Sequence, residues 1–131
     1  MYGLKINNYI YKILSTDTSV LSLVNKANIK PLIQNPTGYP FISYQRDSIE
    51  TEYCKDGTIE DIVGVQLICV SDKYDESVNV AQKVRECFEN KIYSDDNAVI
   101  TEMRIDDASE NVIDNAFVQT LFMTFKIQKN N

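Results

Sequence analysis

The most regular hydrophobic pattern in the chain lies in residues 57–92, GTIEDIVGVQLICVSDKYDESVNVAQKVRECFENKI. Val63, Val65, Leu67 and Cys69 occupy alternate positions, and Ile62, Ile68 and Val70 fill the intervening ones. Successive side chains on a strand point to opposite faces, so both faces of this strand are largely apolar. That composition predicts a central strand. The period then changes. Val80, Ala81, Val84, Cys87, Phe88 and Ile92 recur at three- and four-residue spacing, which predicts an amphipathic helix. Asp72 is placed to cap its start, and Asp75 and Glu76 suit its positive end.

Similar patterns assign the rest. Ile6, Tyr9, Ile10, Ile13 and Leu14 mark a helix over residues 4–14. Residues 15–18, Ser-Thr-Asp-Thr, break it and cap a second short helix with Val20, Leu21 and Val24 inside. Residues 25–28 form a turn. Residues 29–33 predict a short strand, which Pro31 confines to a sheet edge. Residues 34–39 hold the turn signal Asn-Pro-Thr-Gly. Residues 40–46 predict a strand with Phe41, Ser43 and Gln45 on one face and Ile42, Tyr44 and Arg46 on the other.

Residues 47–61 are strongly acidic, with Lys55-Asp56-Gly57 as a hairpin signal. They predict a long, mobile hairpin or loop projecting from the sheet. Residues 94–97 form a loop. Residues 98–105 predict a strand with Val99, Met103 and Ile105 inward, and residues 106–115 a second acidic turn. The last strand covers residues 116–127. Phe117, Leu121, Met123, Phe125 and Ile127 share one face; Val118, Thr120, Phe122 and Thr124 share the other. The order α-α-β-β-β-α-β-β predicts an α+β fold: a mixed, mostly antiparallel sheet with helices packed on one face, as one domain over residues 1–131. Val118 and Phe122, on the opposite face, are then partly exposed unless another subunit covers them.

Composition narrows the function. The chain has 131 residues, 44% of them hydrophobic, enough for one domain with its own core. No apolar run approaches the roughly 20 residues that span a bilayer, and residues 1–14 lack the pattern of a secretory signal. There is no histidine, which excludes Ser-His-Asp and Cys-His catalysis and imidazole metal sites. The three cysteines, Cys54, Cys69 and Cys87, have no paired spacing; two fall on core faces and read as buried free thiols of a reducing compartment. The net charge of −6 argues against a protein that grips nucleic acid by its phosphates.

Candidate chemistry is sparse. The doublets Glu60-Asp61, Asp95-Asp96 and Asp106-Asp107 sit in or beside predicted loops, and neighbouring strand residues diverge. The spacing of a calcium loop is absent. The four glycines are scattered, so no phosphate cradle exists. Tyr39, Tyr44, Tyr53 and Tyr74 lie near predicted loops amid negative charge, which favours packing or an interface over base stacking. No enzymatic role, catalytic residue, cofactor or metal is expected.

Several stretches together resemble a known family: Ile-Leu-Ser-Thr-Asp-Thr-Ser-Val at residues 13–20, Ile-Lys-Pro at 29–31, Tyr-Pro-Phe-Ile-Ser-Tyr at 39–44, Val-Ser-Asp at 70–72, the amphipathic helix and the final hairpin. From about residue 4 to residue 128 the chain is similar to the phage tail-terminator or tail-completion proteins, small structural domains of tailed phages and prophages. The resemblance implies a homo-oligomeric ring, commonly hexameric, at the head-proximal end of the tail tube. It implies the tail tube protein and the head-completion or connector protein as partners, with DNA passing through the lumen without specific binding and no membrane contact. The implied location is the virion tail, reached from the host cytoplasm during assembly. Tyr53, Val118 and Phe122 are the candidate oligomer interface. Two other readings stand beside this one: a head–tail connector or neck protein, and a small α+β regulatory module with a ligand pocket between helix and sheet.

Overall fold

The computed structural model describes residues 2–33, 36–89 and 91–130. A 3-10 turn (Tyr2–Lys5) leads into α1 (Ile6–Ser15) and α2 (Thr18–Leu21). A second 3-10 turn (Lys26–Asn28) precedes β1 (Ile29–Pro31), β2 (Phe41–Tyr53) and β3 (Ile59–Ser71). Then come α3 (Tyr74–Phe88), β4 (Tyr93–Ser94), β5 (Ala98–Ile113) and β6 (Ala116–Lys129). The strands form one sheet in the order β1-β2-β3-β6-β5-β4. Among the described residues, β1 alone runs parallel to its neighbour and the other pairings are antiparallel. The α+β architecture and the central strand are as the sequence predicts, with β4 as an addition.

β3 is central because both of its edges are paired along its length, to β2 and to β6. Its odd-numbered side chains Val63, Val65, Leu67 and Cys69 point into the core with Leu121, Met123, Phe125 and Ile127 of β6. The helices supply the other wall: Ile6, Tyr9, Ile10 and Leu14 of α1, Val20 of α2, and Val80, Val84, Cys87 and Phe88 of α3. Phe88 meets Phe125 edge-on with ring centroids 5.8 Å apart, a favoured aromatic geometry. Asp17 caps α2 by accepting from the Val20 N–H at 3.0 Å.

Some local expectations change. α3 ends at Phe88, where Glu89 takes extended dihedrals, so Ile92 lies outside the helix and is exposed. The helix entry is organised by Ser71, not Asp72. The Ser71 side chain is fully buried, accepts from the Lys73 N–H at 3.1 Å and donates to Glu76 Oε1 at 2.6 Å. Leu21, expected inside, lies at the surface because α2 is a single turn. The predicted strand at 29–33 stops at Pro31, where Leu32 turns the chain with φ of 46°. The predicted turn at 34–39 lies partly outside the described residues.

The larger corrections concern the two acidic stretches. Residues 47–61 are the outer half of a regular β2–β3 ladder that is paired as far as Tyr53 and Ile59. The turn itself is short: Cys54 N–H donates to the Thr58 carbonyl, and Gly57 has φ of 90°, a value suited to glycine. Asp61, read as a solvated loop residue, is buried. It accepts from the Gly3 N–H at 2.8 Å and from Thr51 Oγ1 at 2.7 Å, tying the N-terminal turn to the sheet. Residues 106–113 likewise continue β5, so the last hairpin turns over Asp114-Asn115 alone, both left-handed with φ of 51° and 65°. Polar side chains concealed these strand halves, but ladder pairing uses backbone groups and does not require apolar faces. Bulges between Ile100 and Glu102 and between Ile105 and Asp107 also reset the alternation. Ala98, Ile100 and Met103 therefore point inward where Val99 was expected. Phe117 is half-buried, covered by the Tyr74 ring at 5.5 Å.

Two outcomes are expected. Asn115→Val places a β-branched residue in the left-handed region and should cost about 1–2 kcal/mol, lowering the thermal midpoint, whereas Asn115→Gly should hold or raise it. Equal midpoints for the three proteins would contradict the two-residue turn. All three thiols are free: Cys54 is exposed, and burial pushes Cys69 and Cys87 up to about 12. At about pH 8 a thiol reagent should label Cys54 promptly and the other two only after denaturation, since the thiolate is the reactive form. Prompt labelling of all three in folded protein would contradict the packing of α3 on β3.

Candidate functional site

All three helices pack on one face of the sheet, and among the described residues no helix covers the other. The register assigns the residues of this second face. Phe41, Val70 and Val118 stand side by side across β2, β3 and β6. With Ile68 and Ala116 they form a second, smaller apolar cluster separate from the main core. Toward the opposite end of the strands the face becomes charged. Lys126 lies 3.5 Å and Arg104 3.6 Å from Glu102, and Arg104 Nε donates to Asp106 at 2.6 Å.

The apolar end is hollowed into a groove of about 630 Å³. Its floor is Phe41, Val70 and Val118; Leu32, Tyr39 and Ile113 form its walls. The loop after β1 makes one wall because the Ile33 N–H donates to Ser43 Oγ at 3.0 Å, holding the chain against β2. Tyr39 stacks on Phe41 at 5.9 Å. Leu32, Tyr39 and Ile113 are all exposed, an unusual concentration of apolar surface on one patch.

Of the three candidate interface residues, two share this face. Val118 is buried beneath its neighbours, at 8% exposure, which corrects the expectation of partial exposure: Val70 and Ala116 already cover it. Phe122 is half-buried at mid-sheet, between Gln66 and Asp107 in the register. Tyr53 is elsewhere. It is 77% exposed beside the β2–β3 turn, paired across the ladder with Ile59, which is 52% exposed. Twelve strand steps separate it from Phe41, roughly 40 Å at about 3.3 Å per residue. Ile59 and the walls of the groove were missed in the sequence because their spacing in the chain gives no hint of their proximity. The one local signal was Tyr39 flanking Pro40-Phe41.

A second hollow, about 600 Å³, lies beside α1 and is lined in part by Lys5, Asn7, Lys12, Tyr44 and Asp95. Tyr44 is fully buried, its hydroxyl has no hydrogen-bond partner, and burial foremost raises its pKa; Asn7 Oδ1 is also unpartnered. The carboxylate doublets do not converge. Asp61 holds the N-terminal turn. Asp95 accepts from the Ala98 and Asn97 N–H groups, which hold its carboxyl below the usual range. Asp106 is engaged by Arg104 and Thr124. Among the described residues, no group of three or more cysteines and acidic residues is placed to hold a metal ion, and no helix is long and apolar enough to cross a membrane.

Neither a protein-family model nor a curated protein matches the sequence. The fold does have a likeness among solved structures. A chain from the virion of a native gene transfer agent (GTA) particle superposes with a TM-score of 0.76, over 91% of this chain and 91% of that one, at 10% sequence identity. The two chains share a fold over about nine-tenths of their lengths with little retained sequence.

Proposed function

We propose that this chain is a structural subunit of a phage-like virion. The observation that carries the reading is the likeness, over 91% of both chains, to a chain of the gene transfer agent particle. The uncovered sheet face supports it, since a subunit built into a larger particle leaves apolar surface for its neighbours. At a finer level, we take it as a tail-terminator subunit. On this reading copies close into a ring, a hexamer by resemblance, on the head-proximal end of the tail tube. The ring stops tube growth and presents a surface to the head connector. The subunit works in the virion tail and assembles there from the host cytoplasm, without catalysis.

The charge fits such a ring. DNA must slide through the lumen, and a subunit carrying a net −6 repels phosphate rather than holding it. Tight duplex binding at physiological salt would count against that lumen. A ligand-binding module has one observation in its favour, the unpartnered Tyr44 hydroxyl and Asn7 Oδ1 in the hollow beside α1. A metabolite that raised the thermal midpoint of a strictly monomeric protein would select it.

The ring is tested by negative-stain imaging of the protein with tail tubes, where rings capping one tube end are expected. Phe122→Glu places a charge in the middle of the open face. It should weaken assembly at least tenfold while leaving the thermal midpoint within a few degrees. Uncapped tubes, or a Phe122→Glu variant that assembles like the parent, would remove the terminator reading.

A further inference from the structure

We propose that the groove on the open face receives the β2–β3 hairpin tip of a second copy of this chain, an inference that rests on the ring reading above. The tip carries an apolar pair, Tyr53 and Ile59, directly opposed across the ladder and both largely exposed. The turn at the end of a sheet ordinarily carries polar residues; a largely exposed aromatic–aliphatic pair beside it is a surface awaiting cover. The groove is its counterpart, an apolar hollow at the other end of the same strands. One chain cannot bring the two together, because β2 is a continuous strand with Phe41 at its groove end and Tyr53 at its tip. A neighbour can.

The faces agree with this. Tyr53 and Ile59 follow Thr51 and Asp61 on the helix-bearing side of the sheet, beyond the N-terminal turn that Asp61 holds. The groove opens on the opposite side. The tip of one copy can therefore lay its apolar side on the open face of the next. One charge pair is available to the contact. Lys55 is the one cation at the tip, beside Asp56, which accepts from the Thr58 N–H at 2.9 Å. Asp114 lies on the groove rim. Among the described residues neither Lys55 nor Asp114 has an ion-pair partner within its own chain. Pairing the free sheet edges instead would set Asp47, Glu50 and Glu52 of β2 against Glu102, Asp107 and Glu110 of β5, like charges across a ladder. Because tip and groove are different surfaces, the contact is heterologous, and each copy both gives a tip and receives one.

The native thiol of Cys54, beside Tyr53, provides the test. In an Ile113→Cys variant, mild oxidation should link the tip of one copy to the groove wall of the next. Non-reducing gels should then show a ladder of three chains and more, at least tenfold above the parent protein. Adding Cys54→Ser should abolish the ladder, and Ile92→Cys, exposed but far along the chain from the groove, should give none. In parallel, Tyr53→Ala with Ile59→Ala should raise the concentration for half-assembly at least tenfold at an unchanged thermal midpoint. Rings that form without the link between Cys54 and position 113 would overturn this contact and leave the virion-subunit reading standing. Covalent species that stop at two chains, or a ladder equally strong from Ile92→Cys, would also overturn it. A protein that neither assembles nor links at any concentration, with or without tubes, would bring down the ring reading too.

Discussion

The structure depends on one constraint: β3 is paired on both edges and greasy on both faces, yet helices cover only one of them. The Phe88–Phe125 contact marks the covered side, where α3 returns from the end of β3 and lies across the sheet. Among the described residues there are three α-helices, and all lie on that side. On the other face Val70 and Val118 are buried by their neighbours, Phe41 and Ile68 stay half-buried, and Leu32, Tyr39 and Ile113 are exposed around them. Burial of such surface is worth roughly 25 cal/mol per Å², so leaving it open favours any contact that covers it.

The edges tell a complementary story. β1 pairs with only three residues of β2, and β4 with only two of β5, so most of β2 and of β5 is free along one side. Free edges invite indiscriminate pairing with other chains. Here they carry Asp47, Glu50 and Glu52 on one strand and Glu102, Asp106, Asp107 and Glu110 on the other. The acid that lowers the net charge is thus concentrated where it discourages edge-to-edge aggregation, while apolar surface is kept to the face and the hairpin tip.

Much of the fold was legible in the sequence, because periodicity reports burial. The alternation from Val63 to Cys69 and the stripe from Val80 to Phe88 stood where the core required them. What failed was everything that periodicity does not report. The outer half of β5 has no buried face and that of β2 only half-buries Ile49 and Thr51, so little in their side chains distinguishes a paired strand from a solvated loop. The bulge after Ile100 exchanged Val99 for Ile100 in the core. Asp61 looked like one acid among many and is the anchor of the N-terminal turn. The open face itself could be read, since Val118 and Phe122 alternate with the core residues of β6. The groove could not, because Leu32, Val70 and Ile113 are brought together by a sheet topology that no local pattern encodes.

The central claim is that the bare face of the sheet is the surface this protein uses to build a larger assembly. Hydroxyl-radical footprinting of free and assembled protein tests it most directly, since Tyr39, Phe41, Tyr53 and Phe122 are reactive reporters on the surfaces concerned. The account predicts that these aromatic residues become protected on assembly while the outer side of α3, at Gln82 and Arg85, stays as accessible as before. Protection of α3 with Tyr39, Phe41 and Phe122 unchanged would contradict it.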